Sequence, residues 1–215
     1  MIFQEYYWRN LPHKLPLGNK FFITTRLVDS VPQNVIQQFE LEQNIIIKLI
    51  EEKYANPDER KIQIGKQWKR NFANFDKYLD TSTEGNHWLK QDKIAKIISD
   101  TLHYWHKQRY DLVAFTIMSN HIHLIIDTWD TENYVKTVTT IMQSIKRHTA
   151  RQSNILLNRE GQFWQHEIYD HLIRNEKEFK NIINYIAQNP VKAGLVTDWR
   201  DYRDYPHTFI NENYL

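Results

Sequence analysis

The stretch RYDLVAFTIMSNHIHLIID, residues 109–127, contains two apolar runs that meet at Asn120. β-Branched and aromatic side chains dominate both runs, a composition typical of strands, and asparagine is a common turn residue. The stretch therefore predicts two neighbouring antiparallel strands, 109–119 and 121–127. This hairpin indicates that a sheet forms the centre of the fold.

The segments on both sides of the hairpin predict an α+β fold, with helices packed on a mainly antiparallel sheet. Further strands are expected at 20–28 and 163–174. Helical composition or periodicity marks the segments 32–52, 61–79, 89–107, 132–150 and 176–189, and Pro190 is expected to end the last one. We expect a single domain over 1–215, with a helical insertion at about 33–85 and an irregular tail from about 196.

The composition, 41% hydrophobic and 25% charged, is that of an ordinary globular protein. No apolar stretch approaches the roughly 20 residues that span a bilayer, and the first residues lack a signal-peptide pattern. The chain has no cysteine, which excludes disulfides and thiolate metal sites. We therefore expect a cytoplasmic protein without a membrane partner. A net charge of +2 does not by itself predict nucleic-acid binding.

His121 and His123 lie two positions apart in the second strand of the hairpin. Side chains alternate along a strand, so both imidazoles are expected on one face, where they could act as two ligands of one metal ion. A working metal site also needs a third ligand, and a cleavage site needs a nucleophile or a held water. The alternative for the pair alone is two polar side chains on the solvent face of a half-buried strand.

The helix predicted at 176–189 carries a second possible part of such a site. Tyr185 and Asn189 lie one turn apart, beside a core-facing stripe formed by Phe179, Ile182, Ile183 and Ile186. A tyrosine hydroxyl is a possible nucleophile, and an asparagine carbonyl oxygen is a suitable ligand for a divalent cation. Taken alone, Tyr185 is better interpreted as an ordinary tyrosine at the edge of the core.

Two blocks, SNHIHLII (119–126) and FWQHEIYDHLIRNEKEFKNIINYIAQNPVKAGLV (163–196), together resemble the HUH single-tyrosine transposases. The closest resemblance is to the branch of REP-associated tyrosine transposases, and it extends from Gly18 to about Trp199, interrupted by the helical insertion. Ser119 departs from the pattern, because relatives usually carry proline two residues before the first histidine. The segment DWRDYRDYPHTF (198–209) is also looser than the usual end of the family.

The resemblance implies a ferredoxin-like HUH domain that breaks and rejoins single-stranded DNA through a 5′-phosphotyrosine. By this resemblance His121, His123 and Asn189 would bind a divalent metal ion, Mg²⁺ or Mn²⁺, and Tyr185 would be the nucleophile. Two imidazoles and one amide oxygen form a softer donor set than Mg²⁺ usually takes, so we expect Mn²⁺ to support activity better. No general base is identified, and His166 and His171 are candidates only.

The expected partner is single-stranded DNA that contains a hairpin, and the oligomeric state, monomer or homodimer, stays open. Basic or aromatic residues that would contact the DNA are Arg26, Lys66, Trp68, Lys69, Arg70, Lys146, Arg147, Arg151 and Trp164. Each of these residues is equally consistent with an ordinary solvated face or with packing.

Two other functions compete with DNA strand transfer. The chain could be a relative that binds repeat hairpins without cleaving them, although the complete set of four site residues argues against this. It could also be a hydrolase that uses a metal-bound water. That reaction needs acidic ligands near the histidines, and Asp127 is the nearest in sequence.

Overall fold

The computed structural model describes residues 18–128, 137–202 and 207–214. Its strands are β1 (Lys20–Arg26), β2 (Asp111–Ile117), β3 (His121–Asp127), β4 (Tyr169–Leu172) and β5 (Thr208–Ile210). Its α-helices are α1 (Gln33–Lys53), α2 (Pro57–Thr81), α3 (Asp92–Trp105), α4 (Val138–Leu156) and α5 (Glu176–Lys192). Short 3₁₀ helices occupy Trp88–Lys90, Trp199–Tyr202 and Glu212–Tyr214. Within the described ranges, no helix has the length and apolar content needed to cross a membrane.

The five strands form one antiparallel sheet in the order β4-β1-β3-β2-β5. The first four strands follow the spatial order 4-1-3-2, and α3 and α4 lie in the two connections that cross the sheet. This is the βαββαβ arrangement of the ferredoxin-like folds. The predicted α+β class with a mainly antiparallel sheet is therefore confirmed.

Strand β3 occupies the centre of the sheet and presents a different kind of side chain on each of its two faces. Ile122, Leu124 and Ile126 belong to the main hydrophobic core, together with residues of α3 and α4. A one-residue slip in register would move all three to the other face, and burial of each contributes roughly 1.5–3 kcal/mol. The core therefore fixes the register, and with it the face on which His121 and His123 lie.

Three predicted boundaries are wrong, each for a physical reason. The strand expected at 163–174 is reduced to β4, because the consecutive residues Phe163 and Trp164 both pack in the same hydrophobic core, whereas consecutive strand residues face opposite sides of a sheet. Helix α5 continues through Pro190 to Lys192, because the turn after Pro190 is closed by other backbone donors: the N–H of Ala193 donates to Asn189, and that of Leu195 donates to Pro190. The tail, expected to be irregular, adds β5 beside β2.

The described residues form two compact units, one within Met1–Val28 and Asn86–Leu215 and the other Asp29–Gly85. The second unit contains α1 and α2, where the segment predicted as a helical insertion lies. In it, the Phe39 ring packs edge-on against Phe75 with 5.4 Å between the centroids. Asn56 caps α2, because its side chain accepts hydrogen bonds from the backbone N–H groups of Asp58 and Glu59.

Candidate metal and nucleophile site

Strand β3 brings the two predicted histidines face to face. His121 and His123 are both fully buried, and their Nε2 atoms lie 3.1 Å apart. Metal–nitrogen bonds of about 2.1 Å that meet at roughly a right angle place two ligand nitrogens about 3 Å apart. The observed separation therefore fits two imidazoles that share one metal ion.

The other ring nitrogen of each histidine has a polar partner. His121 Nδ1 donates to Asn120 Oδ1 at 2.6 Å, and His123 Nδ1 shares a hydrogen bond of 2.8 Å with Thr24 Oγ1. When the proton of each ring is on Nδ1, each Nε2 carries a lone pair, as a metal ligand requires. In that tautomer the two Nε2 lone pairs converge at 3.1 Å, where one cation could accept both. The pair could thus bind a metal ion.

Helix α5 places Asn189 at the same point. Its side chain is fully buried, and the amide nitrogen lies 3.4 Å from Nε2 of His123. The nitrogen and oxygen of an amide exchange places by a rotation of half a turn, so the carbonyl oxygen can occupy the position that faces the imidazole. The extension of α5 through Pro190 keeps Asn189 within regular helix. Asn189 can therefore supply a third donor atom.

Tyr185 lies one turn before Asn189 and is half-buried. Its ring packs edge-on against His123, with 5.3 Å between the centroids, and against Phe22 at 6.0 Å. Phe22 also stacks on His123 at 5.5 Å. The structure thus brings together all four residues that the sequence predicts as ligands or nucleophile.

The two candidate bases and the acidic residue of the hydrolase hypothesis differ in their surroundings. His171 Nε2 donates to Glu178 Oε1 at 3.0 Å, in a nearly buried pair, and His166 is exposed. Asp127 forms an ion pair with Lys20 at 3.2 Å. It is four strand positions beyond His123, about 13 Å away. Asp127 is therefore too far from the histidines to share a metal ion with them.

Two predicted DNA-contacting cations have defined positions near the sheet. Arg26 is the antiparallel partner of His121, so its side chain starts on the face that carries the histidines. Lys146 of α4 is half-buried, and its ammonium donates to the backbone oxygens of Gln165 and His166 at 2.6 and 2.8 Å. Burial lowers the pKa of Lys146 to about 8. Most of the hydrogen-bonding capacity of Lys146 is thus already used within the protein.

The remaining predicted contacts on this unit lie along α4 and the segment after it. Arg147 and Arg151 are exposed, and Arg147 lines a cavity of about 720 Å³ between α4 and residues 161–170. Trp164 is only 4% exposed, and its Nε1 donates to Thr149 Oγ1 at 2.9 Å. The stacking role predicted for Trp164 is therefore not supported, because its ring packs in the core.

The helical unit carries the other four candidates on α2. Lys66, Lys69 and Arg70 are exposed and Trp68 is half-buried. The basic side chains of this run thus lie on a solvated face of the helix. Such a face is compatible with contacts to phosphates, and equally with an ordinary charged surface that binds no ligand.

Among the described residues, Phe22, Thr24, Asn120 and Lys192 contact the site and were not identified from the sequence. Alternation along KFFITTR places Phe22 and Thr24 on one face of β1, but only the register with β3 shows that this face carries the histidines. Lys192 lies with its ammonium 4.7 Å from the centroid of the Tyr185 ring. The helical repeat alone could have indicated that contact.

Comparison with known proteins gives a consistent result. Residues 82–189, just over half of the chain, match the family described as "Transposase IS200 like". A putative REP-associated tyrosine transposase of Haemophilus influenzae is 31% identical over 99 residues, which cover 42% of this chain and 56% of that protein. The REP-associated tyrosine transposase of Escherichia coli K12 is 28% identical over 96 residues, which cover 42% of this chain and 52% of that protein.

The chain thus spans about half the length of these two curated relatives. A solved structure of a REP-associated tyrosine transposase bound to a REP hairpin aligns with 90% of this chain and 77% of its own, at 16% identity and a TM-score of 0.46.

Proposed function

Because the chain belongs to the IS200-like transposase family, we propose that it cleaves and rejoins single-stranded DNA through a covalent bond to Tyr185. The proposal depends on one observation above all. The Tyr185 ring packs against His123 at 5.3 Å, while Nε2 of His123 faces Nε2 of His121 at 3.1 Å. A nucleophile and a pair of metal-ligand atoms are thus adjacent on rigid elements, as strand cleavage by a tyrosine requires.

His121, His123 and Asn189 would hold a divalent cation, Mg²⁺ or Mn²⁺. When bound, such an ion supplies Lewis-acid polarisation of a non-bridging oxygen of the scissile phosphate. Asn120, and Thr24 where its hydroxyl accepts from His123, would hold the two imidazoles in the tautomer that presents Nε2.

In the reaction the Tyr185 oxygen forms a bond to phosphorus, and the bond from phosphorus to the 3′ oxygen breaks. The phenol loses one proton and the departing 3′ oxygen takes one up, so a free 3′-hydroxyl remains. The other product is a 5′-phosphotyrosyl protein. Attack by a 3′-hydroxyl on this phosphotyrosine reverses the step and rejoins strands without a nucleotide cofactor.

The DNA substrate that we propose is a single strand containing a hairpin of the REP type. The two curated relatives are named as REP-associated transposases, which supports this choice. On the sheet unit, exposed Arg147 and Arg151 on α4, and Arg26 beside His121, are the cations that we propose for phosphate contacts.

The test uses end-labelled hairpin DNA with single-stranded flanks, a divalent ion, and the variant Tyr185→Phe. We expect a denaturant-stable protein–DNA adduct that Tyr185→Phe abolishes. The matched control is Tyr169→Phe, because Tyr169 also packs against Phe22, at 6.1 Å, and should leave the adduct intact. Parallel reactions at equal Mg²⁺ and Mn²⁺ concentrations should give faster cleavage with Mn²⁺.

Two outcomes would contradict the proposal. Tight hairpin binding without any adduct would indicate a binding protein that has lost cleavage. Cleavage that survives Tyr185→Phe would indicate hydrolysis by an activated water, with Tyr185 as a packing residue.

A further inference from the structure

Helix α5 carries a row of three different functional groups on one face. Lys192 and Tyr185 are seven positions apart, so at about 100° per residue they project in nearly the same direction. Helical side chains lean towards the N-terminus, so the long Lys192 stem extends back along the helix. Its ammonium lies 4.7 Å from the centroid of the Tyr185 ring. Phenol, the amide of Asn189 and ammonium therefore follow one another along the site.

The Lys192 ammonium is available to a ligand. Lys192 is exposed, and among the residues that the structure describes no carboxylate forms an ion pair with it. On the same helix, by contrast, the Lys180 ammonium lies 3.9 Å from Glu176. An exposed contact between an ammonium and an aromatic ring contributes only about 0.5–1 kcal/mol. That contact holds Lys192 beside the nucleophile and leaves its three N–H donors able to bind an anion.

The proposed reaction creates a need for such a donor. A scissile phosphodiester has two non-bridging oxygens, and a metal ion held by the imidazoles would polarise only one of them. Phosphoryl transfer is catalysed largely by positioning and by cations placed around these oxygens. A second cation on the side of the tyrosine would bind the other oxygen and align phosphorus with the attacking phenol.

We propose that Lys192 is a catalytic residue whose ammonium binds a non-bridging oxygen of the scissile phosphate as Tyr185 attacks. The inference rests on the proposed function of Tyr185 and adds a residue to it. In the step, the bond from the Tyr185 oxygen to phosphorus forms and the bond to the 3′ oxygen breaks. Lys192 keeps all its protons throughout, so it acts by charge and by hydrogen bonding rather than by proton transfer.

The experiment measures single-turnover adduct formation by the full chain on two hairpin substrates. One has an ordinary scissile phosphodiester, and the other has a methylphosphonate there, which replaces one charged oxygen by a methyl group. The proteins are the wild type, Lys192→Met, Lys192→Arg and the control Lys180→Met, which changes a lysine of the same helix that faces elsewhere. Binding of the uncleaved hairpin and the melting temperature are measured for each protein.

On the phosphodiester, we expect Lys192→Met to react about 10- to 100-fold more slowly. This is less than the roughly 100- to 1,000-fold effect of a buried donor, because solvent and salt screen an exposed ammonium. On the methylphosphonate the same substitution should cost less than about 3-fold. Lys192→Arg should recover most of the rate, Lys180→Met should react like the wild type, and hairpin affinity should change little.

Equal rates of Lys192→Met and the wild type on the phosphodiester would overturn the inference. So would an equal loss on both substrates, or a loss that follows the melting temperature, because Lys192 would then only stabilise the C-terminal end of the helix. These results leave the proposed function intact, since the wild type still forms the adduct. Absence of the adduct in the wild type is the separate result that contradicts the proposed function.

Discussion

Replacement of Thr24 by valine tests whether the histidine pair binds metal as its geometry indicates. Thr24 is 6% exposed, and its Oγ1 lies 2.8 Å from Nδ1 of the fully buried His123, from which it accepts a hydrogen bond in the tautomer that leaves Nε2 free for a metal ion. Valine keeps the shape of the side chain and removes this acceptor. The His123 ring then loses the contact that fixes its tautomer and orientation, while Nε2, the metal-ligand atom, is not itself altered.

The expected loss follows from that hydrogen bond. Removal of the outer partner of a ligating histidine typically lowers metal affinity about 10- to 100-fold, which corresponds to roughly 1.4–2.7 kcal/mol. A buried N–H left without an acceptor costs a further 1–3 kcal/mol, approximately, in the free energy of unfolding. This cost is smaller than the free energy of unfolding of about 5–15 kcal/mol that is typical of a domain, so we expect the variant to remain folded and its metal affinity to be measurable.

In the assay, Mn²⁺ is titrated into metal-free protein without DNA, and binding is monitored by calorimetry. The metal dependence of adduct formation is a second measurement. The control is Thr25→Val on the same strand, because Thr25 is also buried, at 2% exposure, and faces the opposite side of the sheet. The reasoning is refuted if Thr24→Val binds Mn²⁺ as tightly as the wild type. It is equally refuted if Thr25→Val weakens binding to the same extent.

Two further predictions concern stability. The pKa of Lys146 is about 8 in the folded protein, lowered from 10.5 by burial, so between these pH values the unfolded chain binds more protons and the free energy of unfolding rises with pH. Measured by chemical denaturation, the free energy of unfolding of the wild type should rise by about 1–3 kcal/mol across this pH range, and that of Lys146→Met should not rise. Identical pH profiles of the two proteins would contradict the prediction. Gly85 has φ +84° and a Cβ there would clash with the backbone of Asp29, so Gly85→Ala should lower the free energy of unfolding by at least about 2 kcal/mol. Gly65 lies in the middle of α2 with open space around it, so Gly65→Ala should instead stabilise the protein by about 0.5–1 kcal/mol. Equal effects of Gly85→Ala and Gly65→Ala in thermal melts would contradict this prediction.

The parts of the site that lie within one element could be predicted from sequence periodicity. Alternation in HIHLIID gives the common face of His121 and His123, and the helical repeat gives the one-turn spacing of Tyr185 and Asn189. Both inferences need only the period of a single strand or helix. They therefore hold even where a boundary is wrong, as it was for α5, which Pro190 does not end.

Contacts between elements could not be predicted in this way. The hydrogen bond between Thr24 and His123 joins side chains 99 positions apart in the sequence. It forms because the register of β1 and β3 places these two residues opposite each other. The burial of Trp164 could not be predicted either, because Trp164 lies in an irregular segment whose tertiary contacts place the ring in the core. Strand β5 has three residues, too few for a detectable alternation, so its place beside β2 depends on tertiary contacts alone.

The arrangement of the site explains why its parts are dispersed in the sequence. The central strand β3 is hydrogen-bonded to a neighbouring strand on each side, and a tyrosine on a packed helix has few orientations, whereas one on a loop would have many. Phe22 connects the two elements, since its ring contacts both His123 and Tyr185. The distance between the proposed nucleophile and the proposed ligands is therefore set by packing within the protein. If the chain acts as we propose, binding energy from the hairpin is not needed to assemble these groups and can be used to position the phosphate.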